Sequence, residues 1–374
     1  MAESPSSAPK SQRLLSIDAL RGFDMFFISG GAVFLYHLQE NTSWAWMDTL
    51  GAQMKHPAWN GFTFYDLIFP LFLFISGVSL SFSIYHSQIR NRTKVEIYKK
   101  ALRRMVILII LGIIYKNAPL PLFEPSQIRY GSVLGRIGIA CFITTLIYLN
   151  FTKLQSLLWL VGILVSYYAA LFLIPVPGFG AGDLSFEGNL VGWVDRHFMP
   201  GRLLQGTYDE LAILTQFPAL CLTMMGTWAG DLLREQTYKS SKKLQILILG
   251  GGVAIGIGLA WGLHFPINKH LWSSSFILLT GGLSCLMLAL FYGLIDVLHY
   301  KRWAFFFKVI GLNSLVIYFA NSFINFEYTA KKLFGGLLNP IAEQWHSLFL
   351  SIAALGLLWG FLYLLYRNKI FVKV

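Results

Sequence analysis

Long apolar segments recur along the whole chain, and each is about long enough to cross the hydrocarbon core of a bilayer as a helix. The 374 residues are 55% hydrophobic and 16% aromatic, which is far from the composition of soluble globular domains. The pattern therefore predicts an all-α, polytopic membrane helix bundle of about ten transmembrane helices. The predicted spans are 17–38, 61–84, 102–118, 133–150, 155–175, 209–233, 244–263, 271–297, 304–325 and 345–366.

Basic residues are concentrated in alternate gaps between these spans. The most basic gap follows the second span and contains Arg90, Arg92, Lys94, Lys99, Lys100, Arg103 and Arg104. Because Lys and Arg favour the cytoplasmic side of membrane proteins, this gap and the others of the same parity are predicted to be cytoplasmic. Both termini then also lie in the cytoplasm, while residues 39–60 and 176–208 lie outside.

The net charge and the cysteine positions argue against several other classes of protein and site. The net charge of +12 does not indicate nucleic-acid binding, since it is distributed over cytoplasmic gaps and forms no single basic face. Cys141, Cys221 and Cys285 fall within predicted spans, so neither a structural disulfide nor a zinc site is expected. Residues 1–12 are polar and rich in Ser and Pro, and we interpret them as a disordered cytoplasmic tail before one membrane domain, 13–374.

A histidine stands directly before an apolar span in KHPAWNGFTFYDLIFPLFLFISG, residues 55–77. His56 lies on the predicted outer side, and Asp66 lies inside the span that follows. Imidazole titrates near neutral pH, which suits general acid–base catalysis. The residues alone are equally typical of a histidine at the membrane interface, and His197, His264 and His270 are weaker candidates on the same side.

Six segments combine apolar runs with polar residues at spacings that are hard to obtain by chance. They are RLLSIDALRGFDMFF at 13–27, HPAWNGFTFYDLIFPLFLFISG at 56–77, SVLGRIGIACF at 132–142, GTYDELAILTQFPALCLTMMGTWAG at 206–230, PINKHLWSSSFIL at 266–278 and GLNSLVIY at 311–318. In this order they resemble the transmembrane acyltransferase family typified by heparan-α-glucosaminide N-acetyltransferase. The resemblance covers most of the chain and implies the catalytic core alone, as in a bacterial relative of the inner (cytoplasmic) membrane.

In that family, an acetyl group passes from cytoplasmic acetyl-CoA to an amino sugar on the far side of the membrane. The resemblance therefore implies an integral-membrane acetyltransferase with acetyl-CoA as donor, an amino sugar or glycan as acceptor, and no metal. It matches His56 to the family's active-site histidine, which would act as general base in a direct transfer within a ternary complex. The resemblance places the protein in the lipid bilayer and is compatible with a homodimer. No nucleic-acid partner is expected.

The resemblance also implies residues that bind the donor and support the site. The expected donor-binding residues are Arg13, Arg21, Arg136, Ser273 and Asn313. The residues expected to bind the acceptor or support the site are Asn60, Asp66, Asn268, Lys269, Trp272 and Asn321. Guanidinium groups suit the CoA phosphates because they present several donors in one plane. Arg13 and Arg21 fit orientation signals equally well, and Arg136 also fits a buried ion pair with Asp66 or Asp209.

Two departures from the family pattern leave the acceptor open. The family's Asn upstream of the catalytic histidine has no counterpart at the matching position of 29–47, so the residue that stabilises the oxyanion is unassigned. A family histidine is replaced by Asn321, which cannot accept a proton in the same way. Two alternatives remain: a membrane O-acetyltransferase of a cell-envelope glycan, and a secondary transporter or exporter with a path of charged residues inside the membrane, namely Asp66, Arg136, Asp209 and Glu210.

Overall fold

The structure is a computed structural model that describes residues 14–42 and 44–372. Every secondary-structure element assigned in these ranges is a helix, so the all-α prediction is confirmed there. The predicted tail, residues 1–12, and Arg13 lie outside the described residues. The α-helices are α1 (Leu15–Phe26), α2 (Ala32–Glu40), α3 (Ala45–Gln53), α4 (Phe64–Ile89), α5 (Lys94–Lys116), α6 (Val133–Asn150), α7 (Lys153–Leu173), α8 (Leu190–Phe198), α9 (Gln216–Arg234), α10 (Ser240–Gly262), α11 (Ser274–Tyr292), α12 (Ala304–Leu312), α13 (Ser314–Phe323), α14 (Phe326–Phe334) and α15 (His346–Arg367).

Seven helical segments of the described ranges are long and apolar enough to cross a membrane. They are Leu15–Glu40, Phe64–Ile89, Val133–Asn150, Lys153–Leu173, Ser240–Gly262, Ser274–Val297 and Glu343–Arg367. Two of them include π-helical turns, Phe27–Gly31 between α1 and α2 and Gly293–Val297 after α11. These segments are those of a polytopic membrane protein.

The other three predicted spans are also helical in the structure. They correspond to α5, to α9, and to the pair α12 and α13, which is interrupted at Asn313. The sixth predicted span begins too early, because residues 209–215 are not helical and α9 starts only at Gln216. The count of about ten spans and the location of the termini stay predictions.

The bundle has two ends, which we name the His56 end and the Arg90 end. Helix α4 runs from the first to the second, and α5 returns from the second to the first. Helix α6 then runs back, so that Lys94 Nζ at the start of α5 lies 3.4 Å from Asn150 Oδ1 at the end of α6. His56 and the basic gap that begins at Arg90 therefore lie at opposite ends of the bundle.

Helix α4 is held in place by close packing against α9. A Cβ atom on Gly77 of α4 would lie 2.0 Å from the carbonyl oxygen of Thr223, and one on Gly226 of α9 would lie 2.0 Å from that of Phe74. Only glycine lets the two backbones approach this closely. Because α4 begins beside His56, this contact also fixes one side of the candidate site.

The segment between α7 and α9 is anchored at the His56 end by buried hydrogen bonds. Arg129 donates to the two carboxylate oxygens of Asp209 at 2.6 and 2.8 Å. Asp195, in α8, accepts the backbone N–H of Asp209 at 3.0 Å, and Trp59 Nε1 donates to the carbonyl of Leu184 at 3.0 Å. The segment is thus tied to residues that neighbour His56, and the ion pair of Asp209 is with Arg129.

Replacing Gly226 with Ala should destabilise the protein, because the new Cβ overlaps the carbonyl oxygen of Phe74. The free energy of unfolding should fall by about 1–3 kcal/mol, the usual cost of overpacking a core. The measurement is the midpoint temperature of thermal unfolding of the purified protein in detergent. Gly162→Ala on α7 is the matched control, since its Cβ meets no atom within 4 Å, and its midpoint should not fall. Equal midpoints for the two variants would contradict the close packing of α4 on α9.

Candidate active site

His56 is held at the start of α4 by a buried carboxylate. It lies in the segment between α3 and α4, and its Nδ1 is 2.6 Å from Asp66 Oδ1. The Asp66 side chain is fully buried, whereas the His56 side chain is 39% exposed. The imidazole also stacks on Tyr65, with 4.9 Å between the ring centroids. One nitrogen and one face of the ring are therefore fixed, while the ring stays accessible to solvent.

Asp66 makes this contact while it also caps α4. Its second oxygen accepts the Thr63 backbone N–H at 3.0 Å and the Thr63 hydroxyl at 3.2 Å, and together these residues form a capping box. A carboxylate accepts hydrogen bonds and donates none, so we assign the imidazole hydrogen to His56 Nδ1. His56 Nε2 then keeps its lone pair, as a general base requires.

Lys269 completes what we name the His56 cluster, formed by His56, Asp66 and Lys269. Its Nζ lies 3.0 Å from His56 Nε2, 3.3 Å from His56 Nδ1 and 3.7 Å from Asp66 Oδ1. Because the ammonium is almost equally far from the two ring nitrogens, it lies over the imidazole and not along the Nε2 lone pair, which points outward in the plane of the ring. The Nε2 lone pair therefore stays open to a substrate that approaches in this plane.

Three more of the predicted residues hold the loop that carries Lys269. Asn268 Nδ2 donates to Asn60 Oδ1 at 3.0 Å, and Asn268 Oδ1 accepts the Leu271 N–H at 2.8 Å. Ser273 Oγ accepts the Asn268 N–H at 3.1 Å and caps α11. Asn60 and Asn268 thus hold this loop in place, and their expected role at the site stays a prediction. Ser273, expected to bind the donor, stands at a helix cap and does not line the cavity described below.

An aromatic group lies beside the His56 cluster and contains His270, which the sequence offers only as a weaker candidate for the base. Trp59 stacks on His270 with 5.2 Å between centroids, and the Tyr208 hydroxyl oxygen is 2.8 Å from His270 Nδ1. Burial lowers the pKa of His270, and the nearby Glu210 carboxylate acts in the opposite direction. Trp59 lies in the same sequence segment as His56, and His270 in the same segment as Lys269. This shared position was the sequence signal that could have placed both residues at the site.

A cavity of about 630 Å³ lies between α1, α4, α5, α6, α12 and α13. Along α4, its lining residues recur every three or four positions from Phe69 to His86, which is one face of a helix. At 1.5 Å per residue this face is about 25 Å long. The cavity is therefore a long passage that extends from the Arg90 end toward the His56 end.

The lining of the passage changes in character along this length. The polar lining residues are concentrated toward the Arg90 end, beside Leu14, Ile17 and Phe82, and they are Asp18, Arg21, Ser79, Ser83, His86 and Arg104. Toward the His56 end it is apolar, with Met25, Ile28, Phe69, Phe72, Val133 and Ile137. Such a passage fits a long ligand that has a charged head and a thin, less polar tail.

Two of the predicted donor-binding residues lie at the passage. Arg21 lines it and donates to the Ser79 hydroxyl on α4. Asn313 stands at the break between α12 and α13, where its side chain donates to the Ile370 carbonyl at 3.1 Å and accepts the Val372 N–H at 3.2 Å. Because Val372 also lines the passage, Asn313 holds the C-terminal segment against it.

Two other residues, Arg104 and Asn321, also differ from what the sequence indicates or lie beyond the description. Arg104 lines the passage but was noted only as part of the basic gap, because sequence does not show which arginines of α5 face inward. The side chain of Asn321 lies outside the described part of the chain.

Arg136 lies at the opposite end of the bundle from the one expected for a phosphate ligand. It is fully buried in the first turn of α6, which begins at the His56 end. Its Nη2 donates to the Glu210 carbonyl at 2.6 Å and to the Thr215 hydroxyl, and its guanidinium carbon is 4.4 Å from the Trp272 ring centroid. Arg136 thus lies away from the polar end of the passage, because α6 enters the bundle at the His56 end, and its expected phosphate contact stays a prediction.

Phe69 and Trp272 connect the passage to the His56 cluster. Phe69 lines the passage and lies one helical turn after Asp66. Its ring packs edge to face on Trp272, with 5.2 Å between centroids, and Trp272 follows Lys269 by three residues. The described lining includes no residue of the His56 cluster, so these two aromatic rings stand between the passage and the base.

The sequence matches known proteins over most of its length. The family model described as heparan-alpha-glucosaminide N-acetyltransferase, catalytic, matches residues 13–257. The human protein named heparan-alpha-glucosaminide N-acetyltransferase is 26% identical over 97% of this chain, and the mouse protein of that name is 27% identical over 97%. The chain spans 60% of the length of the human relative and 61% of the mouse one. Because the family match covers well over half of its residues, this chain belongs to the heparan-alpha-glucosaminide N-acetyltransferase catalytic family.

Proposed function

We propose that this protein is an integral-membrane acetyltransferase that moves an acetyl group from acetyl-CoA to an amino sugar on the other side of the membrane. The proposal is carried by one observation: a histidine oriented by a buried carboxylate stands at one end of a passage whose other end is polar and basic. The relatives' names describe N-acetylation of a glucosaminide, which supports a sugar amine as the acceptor. In this proposal, the protein lies in a bacterial inner membrane, and the Arg90 end and both termini are on its cytoplasmic side.

The passage suits acetyl-CoA as the donor. Arg21 and Arg104 lie in its polar part, and guanidinium groups bind phosphates well. The hydroxyls of Ser79 and Ser83 can pair with the amides of the pantetheine arm. Beyond them the apolar lining, which includes Phe69, excludes water from the thioester. A thioester that reaches Phe69 then lies beside Trp272, next to the His56 cluster.

His56 is the general base that acts on the acceptor nitrogen. A sugar ammonium must lose a proton before its nitrogen can attack a thioester. His56 Nε2 takes this proton, and Asp66 stabilises the imidazolium through the Nδ1–H. Lys269 already places an ammonium 3.0 Å from Nε2 and 3.7 Å from Asp66, so the site accommodates a cation beside the base. This geometry favours an amine over the hydroxyl acceptor of an envelope O-acetyltransferase.

Replacing His56 with Ala should abolish acetyl transfer and leave the Kd for acetyl-CoA within a few-fold of wild type. The base acts on the acceptor, whereas most of the donor affinity comes from groups near the other end of the passage. Transfer is measured with labelled acetyl-CoA and a panel of amino sugars and hydroxyl-bearing envelope glycans. Arg21→Ala should instead raise the Kd for CoA by roughly tenfold or more.

Lys55→Ala is the control for these two variants. It removes an exposed cation beside His56, so both the transfer rate and the Kd for CoA should stay near wild type. Substantial turnover in His56→Ala would remove His56 from the mechanism. Equal effects of Arg21→Ala and Lys55→Ala on CoA binding would show that Arg21 is an orientation signal only. Labelling of the hydroxyl glycans alone would favour the O-acetyltransferase.

Replacing Asp66 with Asn should lower the rate of acetyl transfer by roughly 10²-fold or more. The Asn carbonyl can still accept the Thr63 N–H and cap α4, but the amide can no longer stabilise the imidazolium of His56. Thermal unfolding should therefore change much less than turnover. The matched control is Glu96→Gln, which makes the same change in the capping box of α5 and should keep its activity. Equal losses in the two variants would mean that Asp66 only caps its helix.

Acetyl-CoA incubated with the protein alone should leave no acetyl group covalently attached. Cys141 and Cys221 are buried and Cys285 is half-buried, and all three are free thiols within apolar helices. No described side chain forms a hydrogen bond or ion pair that would activate them. An acetylated His56 would remove the base that the acceptor needs. Intact-mass measurement tests this direct transfer. A stoichiometric adduct that passes its acetyl group to the acceptor, and that is lost in His56→Ala, would instead make His56 a nucleophile.

A further inference from the structure

Three buried hydrogen-bond donors lie together between the passage and the His56 cluster. They are Arg136 Nε, Arg136 Nη1 and Trp272 Nε1, and none of them has an acceptor among the described residues. Both side chains are fully buried, and the guanidinium carbon is 4.4 Å from the indole centroid. Buried donors without acceptors are rare and unfavourable in proteins. Three of them in one place indicate an acceptor that comes from a ligand.

The rest of the structure holds these donors in position. The remaining guanidinium nitrogen of Arg136, Nη2, is anchored by the Glu210 carbonyl and the Thr215 hydroxyl. Trp272 has a φ of +50°, a left-handed conformation that is strained for a bulky residue. Strain of this kind persists only where the surroundings impose it, and it is concentrated at functional sites. Here the hydrogen-bonded loop of Asn268 imposes it.

The donors border the apolar end of the passage. Val133 and Ile137 line the passage on the same turns of α6 that carry Arg136. Phe69 also lines it and packs edge to face on Trp272. A ligand that fills the passage to its apolar end therefore arrives beside both donor side chains. On the other side, Lys269 of the same loop as Trp272 contacts the base.

The other polar residues of this region have acceptors or donors within the protein. Asn60 and Asn268 bind each other at 3.0 Å. Ser275 donates to the Phe265 carbonyl at 2.6 Å, and Ser273 accepts the Asn268 N–H. Their capacity to bind a ligand is thus already in use, whereas that of Arg136 and Trp272 is not.

We propose that Arg136 and Trp272 bind the carbonyl oxygen of the acetyl thioester and stabilise the negative charge that this oxygen acquires during transfer. The inference rests on the proposed function, and it assigns the oxyanion-stabilising group that the sequence left open. Donors that are fixed in advance in a water-free site stabilise such charge most effectively. A guanidinium adds a full positive charge to the two kinds of N–H donor.

In this step, His56 Nε2 takes one proton from the acceptor ammonium, and the freed nitrogen lone pair attacks the carbonyl carbon. The π electron pair of the C=O bond moves to the oxygen, which Arg136 and Trp272 then stabilise. When the C=O bond re-forms, the C–S bond breaks and the CoA thiolate leaves with the bonding pair. The imidazolium of His56 protonates the thiolate, and the second nitrogen proton passes through the neutral imidazole to water.

The test compares two donor analogues that cannot transfer an acetyl group. Acetonyl-dethio-CoA keeps the carbonyl oxygen, with CH₂ in place of sulfur, and S-ethyl-CoA has no carbonyl. Wild-type protein should bind the ketone roughly tenfold more tightly than the thioether. Trp272→Phe keeps an aromatic ring but removes the Nε1–H, and it should lose most of this preference while its Kd for S-ethyl-CoA stays within a few-fold.

Arg136→Lys is the second variant, since it keeps a cation that can reach the Glu210 carbonyl but lacks the two unpartnered donors. It should lose the ketone preference as well. In both variants, kcat should fall by roughly 10²-fold, the usual effect of removing one oxyanion donor, while KM for acetyl-CoA should rise by no more than the roughly tenfold loss seen in ketone binding. Trp261→Phe, the same substitution at a half-buried residue outside the site, should keep both the preference and kcat.

Two results would overturn the inference while leaving the proposed function intact. A ketone preference that persists in both variants, with wild-type acetyl transfer intact, would show that these donors do not contact the carbonyl. An equal loss of affinity for both analogues would show that the side chains only pack the end of the passage. Failure of the wild-type protein to bind either analogue or to transfer acetyl groups would refute the proposed function itself, and this inference with it.

Discussion

The buried carboxylate of Asp66 is the contact on which the arrangement of the site depends. A buried carboxylate is tolerated only where hydrogen bonds and charges compensate it, and here Thr63, His56 and Lys269 together do so. The same side chain therefore starts α4, orients the imidazole and attracts the lysine. Because Phe69 lies one turn further along the same helix, the base and the apolar end of the passage are fixed relative to each other.

The packing of α4 extends this constraint through the bundle. One face of the helix lines the passage from Phe69 to His86, and its Gly77 is pressed against α9. A shift of α4 would move the base, the passage wall and the helix contact together. Small residues at the α9 contact thus serve the geometry of a site that lies several turns away.

The sequence predicted the helical architecture well because apolar length and charge are local signals. The span 133–150 coincides with α6, and the basic gap lies at the opposite end from His56. The same charge pattern places the start of the fourth span, and with it Arg136, on the outer side. The phosphate role expected of Arg136 came from the resemblance and does not fit this predicted topology.

The sequence could not predict contacts between distant segments. Lys269 meets His56 across 213 residues, and neither residue type indicates the other. The positive φ of Trp272 and the unpartnered nitrogens of Arg136 arise from tertiary packing and leave no trace in hydropathy. Likewise, only the folded α5 shows that Arg104 faces the passage.

A thioester held beside water must be protected from hydrolysis, and the structure addresses this at two points. Phe69 and Trp272 stand between the passage and the exposed imidazole, which limits the access of water to the apolar end. At the base itself, Lys269 and Tyr65 lie against the faces of the imidazole, which limits the approach of water to the edge of the ring. Under the proposed function, an acceptor that approaches Nε2 along this edge displaces water from the base, so proton transfer is coupled to the presence of an acceptor.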